Sequence, residues 1–393
     1  MEIYILFFVC CLIFALKKHG GHVKTEEKLL LIVLGIFLCT GYMTGSDWRG
    51  YELDYYDVNS IEDCLSKPGE FVFYIVCMIL NKLGIDFWFF WILTKFVCYY
   101  VTIKKIIQYS GTSRWWVIFY FYSYCALFYY IDNPMRNLIS SIIILYNIDA
   151  FIYSQYKKAA FTLFCASLIH VSAILAAPML LVASNLKLSL KRALLILLLI
   201  YLAAYTFWIS GLSQQVTLIM TLISGDDFRG QLYMLQGEDK GGINLSIGSI
   251  FQILLFVLSA LGYSKTRTND AFDRFIYNIS FFYAGSLLLE VALPILGRLS
   301  MYFFLPYILF VVKYLISGYT SAFKTPRQYA TIYRFVLVCF LASVIYKNIT
   351  NSYRYIPYSS YIGYLFQEKP TYDYRDSYNY LKSPYTKYEN NSN

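Results

Sequence analysis

Long apolar runs, separated by short polar segments, fill almost the whole chain. Most of these runs approach the roughly 20 residues that an α-helix needs to cross a bilayer. The pattern predicts an all-α, polytopic membrane protein with about 11–12 transmembrane segments. The predicted spans are 2–16, 28–45, 86–103, 115–131, 135–155, 159–183, 192–210, 247–264, 275–293, 298–316 and 330–349. A further apolar segment, 71–83, is too short to cross, so we expect it to lie at the membrane interface or to enter partway.

Residues 1–350 are predicted to form a single transmembrane domain. Two long loops, 45–70 and 211–246, are predicted to lie on the outer side, together with a tyrosine-rich tail at 351–393. Because tyrosine favours the membrane boundary, the tail is expected to be an aromatic interfacial element, with stacking on sugar rings as the alternative. No linker between soluble domains and no internal repeat is visible.

The composition excludes a soluble protein. Only 15% of the 393 residues are charged, against roughly 25% in soluble domains. The first apolar run is followed by Lys17, Lys18 and His19 rather than by a cleavage site, so we expect a retained helix. Eight of the nine cysteines lie in apolar runs and Cys64 alone lies in a polar loop. Neither a disulfide framework nor a CxxC metal site is therefore expected.

The distribution of basic residues predicts the orientation. The loops placed in the cytoplasm because they are rich in lysine and arginine are 17–28, 104–114, 156–158, 187–192, 265–274 and 313–334. Both termini then lie outside the cell membrane, provided that two conditions hold. The segment 71–83 must not cross, and 159–183 must enter and return as two short helices. His170 would then lie near the outer end of this pair. The alternative, one continuous helix over 159–183, would invert every later loop. Since these loops account for the net charge of +9, no nucleic-acid partner is expected.

Ionisable residues gather near the predicted outer ends of several spans. Charges at membrane depth are costly, so such residues are functional candidates by default. They come from distant parts of the chain: Asp47, Arg49, Asp132, Arg136, His170, Glu290 and Arg298. Because all are expected at one depth, the sequence predicts one site at the outer boundary.

Single members of this set could be structural. An arginine at a helix end can extend to lipid head groups, and Asp132 could cap the helix that begins near Pro134. His170 could be a hydrogen-bonded packing residue, and Glu290 could simply pair with Arg298. The joint occurrence of arginines, a histidine and carboxylates at one depth is what indicates a site.

Several short motifs occur in a fixed order along the chain. They are Gly45-Ser46-Asp47-Trp48 followed by Tyr51, Met135-Arg136-Asn137, Leu168-Ile169-His170-Val171-Ser172-Ala173, and Gly297-Arg298-Leu299-Ser300-Met301-Tyr302. From about residue 40 to 316, this order resembles the EpsG-type branch of Wzy-like oligosaccharide repeat-unit polymerases. The family often has glutamine where this chain has Asn137. No nucleotide-binding loop is present, which argues against an ATP-driven pump.

The resemblance implies a bacterial inner-membrane enzyme whose fold is similar to that of the C-type glycosyltransferases. Such an enzyme transfers a glycan from an undecaprenyl diphosphate carrier to a sugar hydroxyl of another lipid-linked repeat unit, with O-antigen, capsule or exopolysaccharide as the product. The lipid-linked oligosaccharide and membrane lipid are the implied partners. A chain-length regulator is a partner by family analogy only.

The candidate residues fit this chemistry. The departing lipid diphosphate gains negative charge, and arginine binds phosphate oxygens through two parallel hydrogen bonds, so Arg136, Arg298 and Arg49 are the predicted diphosphate ligands. The attacking hydroxyl needs a base. His170 is the first candidate for this base and Asp47 the second; Glu290 is a further catalytic candidate. Trp48 and Tyr51 are the predicted sugar contacts, and neither a metal nor another cofactor is expected.

Other functions compete with polymerisation. A glycosyltransferase that adds one sugar from a lipid carrier would share the fold class and the outer site. A transporter or flippase of lipid-linked sugars would need charged residues at mid-depth, where Lys95 is the main example. An acyltransferase of the outer glycan would depend on His170 alone.

Overall fold

The computed structural model describes residues 1–66, 70–210, 245–266, 270–290, 292, 294–317, 327–350 and 354–382. Over these residues the chain is α-helical without a strand, apart from one isolated antiparallel bridge between Gly41 and Ser360. The predicted all-α class is confirmed. Nearly all of the predicted outer loop at 211–246, and the end of the predicted tail, lie outside the described residues.

The chain divides into two compact units, one formed by Met1–Tyr146 with Thr331–Asn393 and the other by Asn147–Ala330. The predicted bounds, a transmembrane domain at 1–350 and a tail at 351–393, stay a prediction. The helices of the first unit are α1 (Glu2–Leu16), α2 (Thr25–Cys39), α3 (Trp48–Asp57), α4 (Ile61–Leu65), α5 (Phe71–Lys82), α6 (Phe87–Ser110), α7 (Arg114–Phe121), α8 (Met135–Tyr146), most of α16 (Arg327–Thr350) and α17 (Tyr372–Lys382). Those of the second unit are α9 (Ile148–Ile152), α10 (Tyr156–Ile169), α11 (Ser172–Val182), α12 (Leu190–Ile209), α13 (Ile247–Thr266), α14 (Ala271–Leu289) and α15 (Ser300–Val311).

Four helical segments of the described chain are long and apolar enough to cross a membrane: Leu190–Ile209, Ile247–Thr266, Leu296–Ile316 and Ala330–Thr350. The first and last of these are largely uncovered by the rest of the protein, whereas Leu296–Ile316 is almost wholly buried. An uncovered apolar helix is stable in lipid, which solvates apolar side chains. The chain is therefore a polytopic membrane protein, and the number of about 11–12 spans, at roughly 20 residues each, stays a prediction.

The predicted span 135–155 is interrupted. Helix α8 ends at Tyr146, Asn147 forms a turn, and the short α9 follows. Asparagine is a weak helix former because its side chain competes for backbone hydrogen bonds. The 12 residues of α8 rise only about 18 Å at roughly 1.5 Å per residue, so α8 alone is shorter than the hydrocarbon core of a bilayer. The predicted span 135–155 is thus built from two helices, and its crossing of the membrane stays a prediction.

The segment 159–183 forms two helices that fold back on each other, as predicted. Helix α10 ends at His170, whose backbone is extended, and α11 begins two residues later. The far ends of the pair meet, because the Ser154 and Ser184 hydroxyls are 2.9 Å apart and Asn185 donates to the Tyr156 hydroxyl at 2.6 Å. The segment therefore enters and leaves on one side, with His170 at the turn.

The C-terminal tail is an integral part of the first unit. Tyr42 N donates to the Ser359 carbonyl at 2.9 Å and Tyr361 N to the Thr40 carbonyl at 2.8 Å. Helix α17 then packs against α3 through the buried Glu52–Arg375 ion pair, whose Nη1 and Oε2 atoms are 2.5 Å apart. The described part of the tail, 354–382, is thus packed against the first unit, and its place at the membrane interface stays a prediction.

These tail contacts also constrain the topology. Helix α3 and helix α17 touch, so they lie on the same side of the membrane, and the chain between them crosses an even number of times. The predicted topology satisfies this condition if 159–183 returns and 71–83 does not cross.

A buried polar cluster ties two predicted cytoplasmic loops together. The Glu27 carboxylate accepts hydrogen bonds from Arg114 Nη2 at 2.7 Å and from Trp115 Nε1 at 2.8 Å, and it pairs with His19. The Arg114 guanidinium also donates to the carbonyl oxygens of Gly20 and His22. The loops 17–28 and 104–114 therefore lie at one end of the unit, as predicted from their basic residues.

Candidate functional site

The Gly45-Ser46 segment is pressed against the end of a helix. Gly45 has φ +83°, and a Cβ atom there would lie 2.1 Å from the Ile131 carbonyl oxygen. The next residue, Ser46, donates to Asp132 Oδ1 through its backbone N–H at 2.8 Å and its hydroxyl at 2.7 Å, and Arg354 donates to Oδ2 at 3.1 Å. Asp132 thus anchors the outer loop, which is a role that the capping interpretation missed.

Gly45→Ala is expected to destabilise the first unit, because a side chain at this φ costs about 1–3 kcal/mol even without a clash. Gly50→Ala is the matched control, since a Cβ atom at Gly50 meets no atom within 4 Å. The apparent melting temperature of the purified protein in detergent should fall for Gly45→Ala and stay near the wild-type value for Gly50→Ala. Equal melting temperatures of the two variants would contradict the close approach of Gly45 to the Ile131 carbonyl oxygen.

Arg136 is the centre of the polar cluster in the first unit. It lies in the first turn of α8, and its guanidinium donates from Nε to the Tyr51 hydroxyl at 3.0 Å and from Nη1 to the Tyr74 hydroxyl at 2.8 Å. Nη1 also forms an ion pair with Glu70. The Tyr74 hydroxyl in turn donates to Asp54 Oδ2 at 2.9 Å. We call Tyr51, Asp54, Glu70, Tyr74 and Arg136 the Arg136 cluster.

Aromatic rings surround the same guanidinium. Its central carbon lies 4.9 Å from the ring centre of Tyr51, 5.8 Å from that of Tyr74 and 6.0 Å from that of Phe73. The Arg136 side chain is only 11% exposed, and burial raises the pKa of Tyr51 above its ordinary value, so the Tyr51 hydroxyl stays neutral. The cluster therefore holds a fixed, largely desolvated cation, the arrangement that stabilises negative charge most strongly.

Asp47, Arg49 and Trp48 lie at the start of α3 and face different partners. Asp47 Oδ1 accepts from the Ser46 hydroxyl at 3.1 Å. Arg49 donates to Asp376 Oδ1 at 2.5 Å and to the Gly45 carbonyl at 2.5 Å. In this arrangement Arg49 joins the tail to the outer loop, and its guanidinium is engaged by protein groups.

Trp48 belongs to the aromatic core of the first unit. Its ring is 1% exposed and packs against Trp88 at 5.4 Å and Tyr372 at 6.0 Å between ring centres. The Arg375 guanidinium lies 5.5 Å from it. The structure therefore leaves Trp48 no free ring face for a sugar, whereas Tyr51 is only partly buried.

His170 in the second unit is buried at the turn between α10 and α11. Its backbone N–H donates to the Ala166 carbonyl at 3.0 Å. Two residues later, the Ser172 hydroxyl lies 2.8 Å from the hydroxyl of Tyr302 in α15. This bond brings the His170 motif beside the Gly297–Tyr302 motif, so two of the predicted motifs meet within one unit.

In the second unit the Glu290 side chain lies beside Gly297, the residue that precedes Arg298. Glu290 follows the last residue of α14, and a Cβ atom at Gly297 would lie 2.9 Å from the Glu290 carboxyl carbon. Gly297 therefore leaves room for the carboxylate beside the backbone that precedes Arg298. Arg298 itself is exposed, on the short 3₁₀ turn before α15.

The predicted site residues thus fall into two groups. Asp47, Arg49, Trp48, Tyr51 and Arg136 lie in the first unit, and His170, Glu290 and Arg298 lie in the second. The convergence of both groups on one site stays a prediction. Within the described residues, no group of three or more His, Cys, Asp or Glu side chains is placed to hold a metal ion.

Sequence reasoning missed three members of the Arg136 cluster. Glu70 lies at the end of the acidic loop, directly before the apolar segment 71–83, and this position was a usable signal for a residue at the membrane boundary. Tyr74 lies inside the apolar run FVFYIV, where an aromatic side chain is expected to pack in the protein core. Asp54 is one of several acidic residues in its loop, and nothing in the sequence singles it out.

Comparison with known proteins identifies a family that matches the part of the chain carrying these motifs. No curated protein and no solved structure matches the chain. The model of the EpsG family, which indicates a role of the polysaccharide-polymerase type, matches residues 28–360. This stretch includes the Arg136 cluster, the His170 turn and the Gly297–Tyr302 motif, and it covers most of the 393 residues. The chain therefore belongs to the EpsG family.

Proposed function

We propose that this protein polymerises lipid-linked oligosaccharides at the outer face of the bacterial inner membrane. The donor is a glycan on undecaprenyl diphosphate, and the acceptor is a sugar hydroxyl of another lipid-linked repeat unit. The observation that carries the proposal is Arg136, a desolvated guanidinium held by two tyrosine hydroxyls and three aromatic rings. A fixed cation of this kind suits a lipid diphosphate, whose charge lies at the head-group level.

The proposed reaction forms one glycosidic bond and breaks another carbon–oxygen bond. The acceptor hydroxyl attacks the anomeric carbon of the donor glycan, and the bond from that carbon to the diphosphate oxygen breaks. The diphosphate leaves with the bonding electron pair, and the hydroxyl proton passes to a base. Charge on the leaving oxygen is greatest in the transition state, so cations already in place lower the barrier.

His170 is the proposed base and Arg136 and Arg298 are the proposed diphosphate ligands. Histidine is the side chain that most often serves as a general base. Arg298 is exposed and therefore accessible to a large substrate. Asp47 is the second candidate for the base, and Glu290 is proposed to act beside Arg298. Arg49 is proposed to hold the tail on the outer loop, since it already donates to Asp376.

The surroundings of Lys95 count against a transporter. Lys95 is buried, and its ammonium donates to the Tyr130 carbonyl at 3.0 Å. Tyr130 lies in a π-helical turn, Phe128–Asp132, where the backbone departs from regular α-helical pairing. The charge is thus satisfied by the backbone of the same unit, as expected of a structural lysine.

The proposal is tested with His170→Ala in a strain that lacks its own polymerase. His22→Ala is the matched control, since His22 lies exposed in the loop 17–28. We expect at least about a hundredfold less polymer from His170→Ala, because a general base contributes roughly 10²–10⁴-fold, with single repeat units accumulating on the lipid carrier. His22→Ala should give a normal ladder of chain lengths on a gel.

Two outcomes would overturn the proposal. A normal polymer ladder from His170→Ala at normal protein level would remove the proposed base. Truncated repeat units in a strain without the protein would indicate a transferase that adds a single sugar. Purified protein that lengthens lipid-linked repeat units in detergent, where no compartments exist, would support polymerisation over transport.

A further inference from the structure

We propose that Glu70 is a built-in substitute for the substrate's diphosphate on Arg136, and that the lipid diphosphate displaces it on binding. This inference rests on the proposed function, and it assigns to Glu70 a role in substrate exchange. The Arg136 cluster would then be an anion-binding site in which the Glu70 carboxylate competes with the substrate's diphosphate.

The first support is the arrangement of hydrogen-bond acceptors around the guanidinium. Two of its hydrogen bonds go to neutral hydroxyl groups, those of Tyr51 and Tyr74. The ion pair with Glu70 supplies an anionic oxygen to Nη1. Carboxylate and phosphate oxygens bind guanidinium in the same forked geometry. Glu70 therefore occupies a position that a phosphate oxygen could take, while the two hydroxyls remain as neutral partners.

The second support is burial. The Arg136 and Glu70 side chains are each only 11% exposed, and a desolvated charge that loses its partner is strongly unfavourable. The substrate-free protein therefore needs a counter-ion beside Arg136. Replacing one anionic oxygen by another keeps the Arg136 guanidinium paired throughout the exchange. A site without Glu70 would have to hold an unpaired cation between turnovers.

The third support is the place of Glu70 in the fold. It precedes the first residue of α5, with non-helical backbone angles. Its carbonyl accepts the Tyr74 N–H at 3.3 Å, so the backbone is held by the helix. Rotation of the Glu70 side chain away from Arg136 would leave the helical hydrogen bonds intact. The carboxylate can thus leave and return without local unfolding.

The exchange has a kinetic consequence. A competing carboxylate weakens the binding of every diphosphate, including the undecaprenyl diphosphate that remains after transfer. Glu70 would then assist release of that product by returning to Arg136. Removing its charge should strengthen diphosphate binding, lower KM and slow turnover where product release is limiting.

The test measures binding of farnesyl diphosphate to the purified protein in nanodiscs of uncharged lipid. The variants are Glu70→Gln and the matched control Glu62→Gln, an exposed carboxylate in α4 of the same outer loop. We expect Kd to fall about tenfold for Glu70→Gln, on the scale of one charge-assisted contact, and to be unchanged for Glu62→Gln. Farnesol and inorganic pyrophosphate are measured in parallel, and a gain with pyrophosphate but not with farnesol assigns the effect to the diphosphate.

Unchanged or weaker farnesyl diphosphate binding by a folded Glu70→Gln protein would overturn the inference, because Glu70 would then only position Arg136. A gain with farnesol would overturn it as well, since the lipid tail would be responsible. If Glu70→Gln does not fold, Glu70→Asp replaces it. The shorter carboxylate should give a Kd between those expected for wild type and Glu70→Gln, and a Kd at or above wild type would again overturn the inference.

Binding and polymerisation can fail separately. The binding assay requires no turnover, so tighter binding by Glu70→Gln supports the anion site even if His170→Ala leaves polymer synthesis intact. In that case the assignment of His170 as the base is wrong and the exchange role of Glu70 stands. The reverse result, loss of polymer in His170→Ala with no gain in Glu70→Gln, removes the exchange role alone.

Discussion

Replacing Arg136 by glutamine is expected to lower polymer synthesis by about a thousandfold, at the upper end of what one preorganised donor contributes to stabilising an anionic transition state. The same change removes the charge partner of Glu70, which is buried beside it. Breaking one side of a buried ion pair costs about 3–5 kcal/mol, so Arg136→Gln should also lower the melting temperature. Activity is measured on purified protein with lipid-linked repeat units, and stability on the same sample.

A double variant separates these two effects. Arg136→Gln combined with Glu70→Gln leaves no unpaired charge, so most of the lost stability should return while activity stays low. Arg136→Lys keeps the charge but loses the fork that contacts both tyrosine hydroxyls, and it should remain strongly impaired. Recovery of activity in the double variant would show that Arg136 acts only through stability. Arg192→Gln, an exposed arginine at the start of α12, is the control for loss of one arginine.

Arg375→Ala is expected to destabilise the first unit by about 3–5 kcal/mol, because it leaves Glu52 buried without its counter-ion. The side chains of this pair are 10% and 7% exposed, and Glu52 also accepts from Trp88 Nε1 at 3.2 Å. The apparent melting temperature should fall sharply. Cys64 is buried in the core of the outer loop, so it should become reactive toward a membrane-impermeant maleimide.

The exposed Lys369–Asp86 pair is the matched control, since it joins the same tail to the same unit. Its side chains are 37% and 39% exposed, and an exposed pair is typically worth about 0–1 kcal/mol. Lys369→Ala should therefore change the melting temperature little and leave Cys64 protected. A double-mutant cycle of Glu52→Gln and Arg375→Met measures the coupling between the buried partners. Equal effects of Arg375→Ala and Lys369→Ala would contradict the importance of burial.

The helical class and the fold-back of 159–183 could be predicted because each depends on one dominant effect. The first depends on backbone hydrogen bonding in lipid, and the second on the placement of basic residues in the cytoplasm. Apolar runs of span length have few stable solutions other than helices. Basic residues on both sides of 159–183, such as Lys158 and Lys187, exclude a single crossing if both flanks stay in the cytoplasm. The break at Asn147 was missed, because one polar residue inside an apolar run leaves the hydropathy pattern almost unchanged.

The candidate site was predicted only in part. Arg136 was found because a charge at the start of an apolar helix is costly and therefore noticeable. Its partner Tyr74 was missed, since hydrogen bonds between distant tyrosine and arginine residues leave no local signal. The packing of Trp48 was missed for a related reason: its ring is covered by Tyr372, and no sequence pattern reveals which distant residue will cover a loop. The common depth of the ionisable residues stays a prediction, and their pairing could not be predicted from the sequence.

The closure of the tail over the outer loop has a consequence for biogenesis. Helix α3 is made early in synthesis, but Arg375 is made only after the last described membrane helix, α16. Until then Glu52 lacks its partner, and the loop that carries Tyr51 cannot reach its final packing. Maturation of this loop is thus coupled to completion of the chain, so a chain truncated before residue 375 should insert the described membrane helices and yet leave Glu52 without its counter-ion.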